Sequence, residues 1–278
     1  MNIVVCMKQV PDTTEVRLDP ETGTLIRKGV PSIINPDDKA GLEAALRLKE
    51  AAEVAAAAAD ADGPAGGRSD VHITVLSMGP SKAKDALREA QAMGADRAIL
   101  LSDRAFAGSD TWATSSALAG ALRNLEYDLI IAGRQAIDGD TAQVGPQIAE
   151  HLGIPSVAYV EEIEREERSL VVKRAFEDGY HLLRVQMPCL ITVLKEINEP
   201  RYMRIGAVYQ AWRNDSVEHW TLDDIDVDPA HLGLKGSPTK VKSSEKKRIN
   251  RAGEKQELAP KEAARFIVDR LRERYVLN

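Results

Sequence analysis

The sequence predicts an α/β protein with an open, mostly parallel, twisted sheet flanked by helices, an antiparallel addition and an extended C-terminal arm. Short apolar runs alternate with amphipathic helical stretches up to residue 160, and such alternation produces right-handed crossovers and a parallel sheet. Hydrophobic residues make up 44% of the chain but aromatic residues only 4%, which suits Val- and Ile-rich strands covered on both faces. Beyond residue 160, strand-like runs separated by tight turns replace the helices.

The elements of the parallel part follow from apolar runs and from the residues that bound them. The predicted strands are 2–7, 71–78, 97–101, 127–132 and 154–160, each a short run typical of a buried strand. The predicted helices are 39–59, 81–93, 109–125 and one that ends at His151, each opened by Asn, Asp, Ser or Gly residues. Residues 16–25 are predicted to form a polar hairpin and residues 60–69 a Gly- and Pro-rich loop.

In the second half of the chain, strands no longer alternate with helices. The runs 160–164, 170–176, 180–186 and 190–194 are interpreted as antiparallel strands. Regular alternation is lost over 201–258, and a final amphipathic helix is predicted over 260–275. Because a long segment with little periodicity does not hold its own core, we divide the chain into an α/β domain, 1–200, and an arm, 201–278, that wraps along a partner chain.

Composition excludes several classes of protein. The formal net charge of −6 disfavours nucleic-acid binding, which needs a basic surface, and the locally basic stretch 240–251 is interpreted as a solvated segment. The two cysteines, Cys6 and Cys189, lie far apart in apolar runs and are predicted to be buried thiols in a reducing compartment. No leader-like pattern and no membrane-length apolar run is present, so the sequence predicts a cytoplasmic, soluble protein without direct membrane insertion.

The strongest functional motif is the loop GRQAIDGDTAQVGPQ, residues 133–147, which follows an apolar strand and precedes a helix. Ligands of open parallel sheets bind beyond the carboxyl ends of the strands, and a helix start offers free backbone N–H groups to an anion. We therefore assign phosphate contact to backbone amides and Thr141, while Asp138 and Asp140 structure the loop. The alternative is an ordinary strand-to-helix loop, since the GxGxxG fingerprint is absent.

Two further strand ends are expected at the same edge. Lys8, after the first strand, either contacts a phosphate or is a surface lysine, and Met78, after the second, either lies against an adenine or packs in the core. Asn35 either hydrogen-bonds adenine or ribose or caps the following helix. Residues 106–111 form another loop before a helix start, for which a plain N-cap by Ser109 or Asp110 is favoured.

No constellation of a nucleophile and a base appears. The five histidines are scattered, and HExxH, Walker A, CxxC and GxSxG motifs are missing. A hydrolase or metalloenzyme is therefore disfavoured, and no metal site is predicted. A protein that holds a nucleotide or flavin, whose chemistry belongs to the cofactor, is favoured instead.

Five segments resemble the electron-transfer flavoprotein beta subunit along nearly the whole chain. They are VVCMKQVPDT (4–13), INPDDKAGLEAALRLKE (34–50), AMGADRAILLSD (92–103), the loop GRQAIDGDTAQVGPQ, and VVKRAFEDGYHLLRVQMPCLITV followed by KEINEPRY (171–202). The resemblance implies a Rossmann-like, adenine-nucleotide-binding fold and a heterodimer with an alpha subunit that carries its own FAD. It implies structural AMP in ordinary members, and a second FAD at the same pocket in electron-bifurcating members.

Two segments resemble the bifurcating branch, namely FAGSDTWATSSALAGAL (106–122) and HLGLKGSPTKV (231–241). The resemblance therefore favours FAD, with NADH as electron donor, and leaves AMP as the alternative. The predicted cofactor-binding residues are Cys6, Met7, Lys8, Asn35, Pro36, Asp37, Asp38, Met78, Gly79, Gly108, Thr111, Thr114, Gly133, Arg134, Gln135, Ala136, Ile137, Asp138, Gly139, Asp140, Thr141, Ala142, Gln143 and Val144.

The resemblance also implies a protruding loop that recognises partner dehydrogenases. Its residues are Lys195, Glu196, Ile197, Asn198, Glu199, Pro200 and Arg201, which follow a strand and include a proline, so an exposed loop is expected. Ferredoxin or flavodoxin and a quinone-reducing protein are further expected partners. One alternative is an ordinary beta subunit without its own redox centre, and another is a stand-alone nucleotide-binding stress protein that needs no partner.

Overall fold

The computed structural model describes residues 1–12, 31–59, 71–240 and 255–277. The strands are β1 Asn2–Cys6, β2 Gln9–Pro11, β3 Ser32–Ile34, β4 His72–Met78, β5 Arg97–Leu101, β6 Leu129–Gly133, β7 Ser156–Glu166, β8 Ser169–Phe176, β9 Gly179–Gln186, β10 Cys189–Val193 and β11 Glu218–Trp220. The helices are α1 Pro36–Ala59, α2 Lys84–Met93, α3 Thr111–Leu122, α4 Val144–Leu152, α5 Ile205–Asn214, α6 Gly233–Gly236 and α7 Pro260–Glu273.

One large sheet organises the first part of the chain and confirms the predicted fold class. Within the described residues its order is β11-β5-β4-β1-β6-β10-β7-β8-β9, and the pairings from β11 to β7 are parallel. The order of the first four long strands, β5-β4-β1-β6, reverses between β1 and β6. A crevice for a ligand is expected there, outside the carboxyl ends of these two strands.

The sheet is covered on both faces, as its near-continuous apolar strands require. On one face, side chains of α1 and α2 such as Leu42, Leu46 and Leu87 share a core with alternate residues of the strands. On the other face, Leu118 and Leu122 of α3 and Ile148 of α4 form a second core with the remaining strand residues. The starts of α1, α3 and α4 are thereby brought to the same edge of the sheet.

The strand 190–194 was wrongly predicted to be antiparallel. β10 pairs in parallel with both β6 and β7 and lies inside the sheet. Its five residues are all buried, and a buried apolar run without alternation is typical of a parallel strand. The runs 154–160 and 160–164 form one strand, β7, which pairs in parallel with β10 and then antiparallel with β8, with a bulge near Tyr159.

The chain after Pro200 contains more helix and strand than the sequence predicted. Helix α5 packs against α2, and β11 extends the parallel sheet beside β5. A bidentate ion pair between Arg97 of β5 and Glu218 of β11, with N–O distances of 2.7 and 2.8 Å, helps to fix that edge. The chain forms two compact units, Met1–Lys242 and Ser243–Asn278, and the role of 201–278 as an arm on a partner stays a prediction.

Two smaller differences concern the first part of the chain, and one prediction there is not tested. Helix α1 begins at Pro36, three residues before the predicted start, with a proline at its first position as helices favour. The sequence reading missed β2, which pairs antiparallel with β3. The predicted hairpin 16–25 lies outside the described residues.

Candidate functional site

The first turn of α1 holds together two loops at the carboxyl edge of the sheet. Asp38 lies here with only 6% of its surface exposed. Its carboxylate accepts hydrogen bonds from the backbone N–H of Lys8 at 2.8 Å and of Gly133 at 2.9 Å. Asp38 therefore ties the end of β1 to the end of β6. Burial raises its pKa to about 7, although these hydrogen bonds favour the charged form.

Asn35, the fully buried residue just before α1, hydrogen-bonds to other parts of the protein. Its amide nitrogen donates to the carbonyl of Gln135 at 2.9 Å, and its amide oxygen accepts from the backbone N–H of Ile137 at 3.1 Å. Its backbone carbonyl also accepts from Lys39 at the start of the helix. Asn35 thus shapes the loop after β6, in addition to its place at the helix start.

The loop 133–144 is held by contacts between side chains. Lys8 pairs with Asp138 at 2.7 Å, and the amide of Gln135 donates to Asp140 at 2.9 Å. The two aspartates therefore structure the loop, as the sequence reading assigned them. Asp140 also adopts the left-handed backbone conformation, with φ 49°, and such strain often marks functional loops.

The start of α4 offers a place for a phosphate group at this edge. Gln143 precedes the helix, but no side chain caps the first turn, so its backbone N–H groups stay available to an anion. A Cβ atom built on Gly139 would meet no atom within 4 Å. The loop therefore combines uncapped amides with open space, as a bound nucleotide phosphate requires.

Two glycines of the motif serve the packing of the protein itself. A Cβ on Gly133 would come within 2.2 Å of the Asp38 carboxylate. A Cβ on Gly145 would come within 2.6 Å of the Thr192 methyl group on β10. Both glycines therefore allow helices to approach the sheet closely.

The start of α3 joins the same site. The Thr111 hydroxyl donates to the side chain of Gln143 at 2.9 Å, so the starts of α3 and α4 are directly linked. Thr114 lies one turn further along α3 and is partly exposed. Gly108 precedes the helix with φ 77° and packs against Leu234.

A clasp formed by residues 232–239 fastens the start of α3. The Ser237 hydroxyl accepts from the backbone N–H of Asp110 at 2.9 Å, and the Thr239 hydroxyl donates to the Asp110 carboxylate at 2.6 Å. Asp110 in turn caps α3 by accepting from the backbone N–H of Ala113. The two segments that resemble the bifurcating branch, which are distant in sequence, therefore contact each other.

The remaining predicted residues at the strand ends are mostly buried. Cys6 and Met7 are 7% and 5% exposed, and burial raises the pKa of the Cys6 thiol to about 12. Met78 and Gly79 are partly exposed at the end of β4. The Cys6 thiol is therefore buried and uncharged, whereas Met78 is open to contact.

The predicted recognition loop, 195–201, lies against α1. Lys195, Glu196 and Glu199 are exposed, whereas the Asn198 amide donates to the carbonyl of Ala40 at 2.9 Å. The Arg201 guanidinium pairs with the buried Glu43 at 2.7 Å and also with Glu50. The loop is exposed at its charged residues and anchored to the helix at its end.

A cleft of about 340 Å³, which the sequence did not predict, lies beside α3 and α4. Trp112 contacts the edges of His151 and His231, with ring centroids 5.8 and 4.9 Å away. The cleft is lined by Trp112, Ser116, Arg123, His151, Asp226, Val227, Asp228 and His231. No sequence signal pointed to it, because His151 and His231 meet only through the fold. No cluster of three potential metal ligands occurs in the part of the chain that the structure describes.

Comparison with known proteins adds independent information. Residues 65–225 match the electron transfer flavoprotein domain. The chain is 55% identical over 277 residues to an electron transfer flavoprotein subunit beta of Clostridium acetobutylicum, 47% identical over 279 residues to the caffeyl-CoA reductase-Etf complex subunit CarD of Acetobacterium woodii, and 40% identical over 287 residues to the acryloyl-CoA reductase electron transfer subunit gamma of Anaerotignum propionicum. Each match covers 100% of both chains.

Among the described helices, none is long and apolar enough to cross a bilayer.

Proposed function

Because the chain belongs to the electron transfer flavoprotein family, as a beta subunit, we propose that it pairs with an alpha subunit and binds FAD at the loop 133–144. Bound FAD would supply the redox chemistry, in which NADH would donate a hydride and the two electrons would go separately to a low-potential acceptor and toward the FAD of the alpha subunit. The part of this chain is to hold and orient the cofactor at the edge of its sheet.

One observation carries the proposal, namely the uncapped start of α4 after the loop that follows β6. Backbone N–H groups there would hold phosphate oxygens, with Thr141 on the same loop. Asp38 and Asn35 would act indirectly, because both hold loop backbone in place. Met78 is the residue at the end of β4 that is open to an adenine face.

The extent of the site favours FAD over AMP. An AMP molecule needs one phosphate subsite, whereas the pyrophosphate and ribityl chain of FAD need a longer polar edge. The bond between Thr111 and Gln143 makes the edge at α4 continuous with that at α3. The clasp 232–239 stabilises the added part through Asp110.

An ordinary beta subunit with structural AMP is the second candidate. The feature in its favour is that Asp110 already accepts hydrogen bonds from Ala113 and Thr239, so the first turn of α3 is capped by the protein itself. In that case the chain would stabilise the heterodimer and recognise dehydrogenases without a redox centre of its own.

Cofactor content distinguishes the two candidates. The purified heterodimer is denatured, and the released FAD and AMP are counted per dimer by chromatography. Two FAD and no AMP support FAD in this chain, whereas one FAD and one AMP overturn it.

A pair of variants locates the cofactor. Thr111→Val removes the bond to Gln143 and should lower the FAD content from two toward one, because the alpha subunit keeps its own FAD. Thr221→Val is the matched control, since its hydroxyl bonds Asp224 at 2.9 Å outside the site, and it should leave two FAD.

The redox partners follow from the same proposal. Two relatives are named as subunits that serve caffeyl-CoA reductase and acryloyl-CoA reductase, which supports a partner dehydrogenase or reductase for this chain. We propose that the exposed charged residues of the loop 195–201 contact it, that ferredoxin, flavodoxin or a quinone-reducing protein accepts electrons, and that the complex works in the cytoplasm. Reduction of the heterodimer by NADH, followed by flavin absorbance, tests the donor, and a spectrum that NADH leaves unchanged would contradict it.

A further inference from the structure

The ion pair between Lys8 and Asp138 joins the two strand ends at which the order of the sheet reverses. Lys8 follows β1, and Asp138 lies in the loop that follows β6, 130 residues further along the chain. The Lys8 Nζ atom lies 2.7 Å from Asp138 Oδ1, and the two side chains are 48% and 16% exposed. The pair therefore connects the two sides of the place where a ligand is expected.

The start of α1 holds the backbone of both partners in place. The backbone N–H of Lys8 donates to the Asp38 carboxylate at 2.8 Å, and the Lys8 carbonyl accepts from the backbone N–H of Asn35 at 2.9 Å. Asp138 follows Ile137, whose backbone N–H donates to the amide oxygen of Asn35 at 3.1 Å. The backbone at each end of the ion pair is therefore fixed by the protein itself.

The loop that carries Asp138 is acidic, although a phosphate is expected at its end. Asp138 and Asp140 both lie between β6 and α4. The Asp140 carboxylate accepts a hydrogen bond from the neutral amide of Gln135, whereas the Asp138 carboxylate is paired with a cation. An unpaired carboxylate repels a nearby phosphate, and the repulsion is stronger where the carboxylate is largely withdrawn from water. Lys8 offsets this repulsion because it neutralises Asp138.

We propose that Lys8 is a positioning residue that enables the loop 133–144 to bind phosphate-bearing ligands by neutralising Asp138. This role rests on the proposed function, since it needs a nucleotide at that loop. Lys8 acts through Asp138 and not by contact with the phosphate, so it is neither a phosphate ligand nor a plain surface lysine. The requirement for Lys8 therefore grows with the negative charge of the ligand. Adenosine does not need it, AMP does, and ADP, which has the pyrophosphate of FAD, needs it more.

Hydrogen exchange of the loop 133–144 in the heterodimer measures binding at this site alone. Bound nucleotides are removed by gel filtration in a chaotropic salt, and protection of the loop is followed as adenosine, AMP or ADP is added. Lys8→Met keeps the length of the side chain and leaves Asp138 unpaired. It should weaken AMP binding at least about fivefold, the upper end for an exposed charge pair, weaken ADP binding more, and leave adenosine binding unchanged.

Three further variants separate neutralisation from other roles. Lys8→Met/Asp138→Asn removes both charges and should bind AMP within about twofold of the wild type, the usual error of additivity. Asp138→Asn alone should bind AMP at least as tightly as the wild type. Lys173→Met is the matched control, since Lys173 pairs with Glu162 at 2.8 Å in the antiparallel part of the sheet, and it should leave AMP binding unchanged. Assembly of each variant with the alpha subunit is verified by gel filtration.

Each contrary result has a distinct meaning. Weak AMP binding in Lys8→Met that the added Asp138→Asn does not restore would assign Lys8 to the phosphate itself. An equal loss of AMP and adenosine binding would show a loosened loop, and unchanged AMP binding would show a surface lysine. These results would overturn the role of Lys8 while the proposed nucleotide site stands. A wild type in which none of the three ligands protects 133–144 would overturn both.

Discussion

The buried carboxylate of Asp38 gives the protein a specific pH dependence. Its pKa is raised from the ordinary value of 3.8 to about 7, mainly because burial penalises the charged form. Between about pH 4 and pH 7 the folded protein therefore holds a proton that the unfolded chain has released. Folding stability contributed by this group is greatest below pH 4 and falls as the pH rises through this window.

The size of the effect follows from the two pKa values. The difference between about 7 and 3.8, at about 1.4 kcal/mol for each pH unit, amounts to about 4 kcal/mol. In Asp38→Asn no proton is exchanged, so this contribution is absent. The stability of the wild type relative to Asp38→Asn should therefore fall by about 4 kcal/mol between pH 4 and pH 8.

Urea unfolding of the heterodimer, followed by tryptophan fluorescence at a series of pH values, measures this difference. The alpha subunit and all other titrating groups are the same in both proteins, so their contributions cancel. Asp103→Asn is the control of opposite sign, because the backbone N–H of Ala105 lowers the Asp103 pKa, and its stabilisation is lost as the pH falls. A wild type that gains stability over Asp38→Asn as the pH rises would show that the Asp38 pKa is not raised in the folded protein.

Three further predictions concern packing, charge and reactivity. Gly145→Ala places a methyl group against β10 and should destabilise the protein by about 1–3 kcal/mol in urea unfolding, whereas Gly179→Ala, which meets no atom within 4 Å, should be nearly neutral; equal effects would contradict the packing. In Arg201→Lys, the lysine lacks the planar guanidinium that bonds two carboxylates of α1, so proteolysis near the recognition loop should be faster. An unchanged rate of cleavage would show that these ion pairs do not hold the loop. Burial raises the thiol pKa to about 12 for Cys6 and about 11 for Cys189. Neither thiol should therefore react with a thiol reagent at pH 8 until the chain unfolds. Rapid reaction of the native protein would show that these thiols are accessible.

The central sheet could be predicted from sequence because its strands carry their signal locally. The runs that became β1, β4, β5 and β6 are short, apolar and followed by helices. The direction in which a strand pairs cannot be predicted from its own residues, because it depends on the neighbouring strands. β10 follows a hairpin in sequence but enters the sheet between β6 and β7, and no local pattern distinguishes that outcome from an antiparallel one.

The residues after 200 show the same limit. Helix α5 has an amphipathic pattern, but the density of Gly, Pro and Asp around it suggested a loop. β11 has only three residues, Glu218–Trp220, and is a strand because β5 offers a free edge. Such a strand has no periodicity of its own, so tertiary pairing decides it.

The candidate site could be predicted in location but not in detail. The strand-to-helix motif at 133–147 placed the loop after the carboxyl end of a strand, as the structure has it, and the assignment of Asp138 and Asp140 to loop structure agrees with their contacts. Asn35 was expected to contact a ligand or cap a helix, whereas its amide holds the loop. The clasp on Asp110 joins residues 127 and 129 positions apart, and only the folded chain reveals it.

A structure of the purified heterodimer would show directly whether this chain holds a nucleotide. We expect an adenine nucleotide in the crevice between the ends of β1 and β6, with a phosphate at the first turn of α4 and Asp38 still bonded to Gly133. A crevice closed by protein side chains, or a nucleotide bound to this chain at another edge, would contradict it.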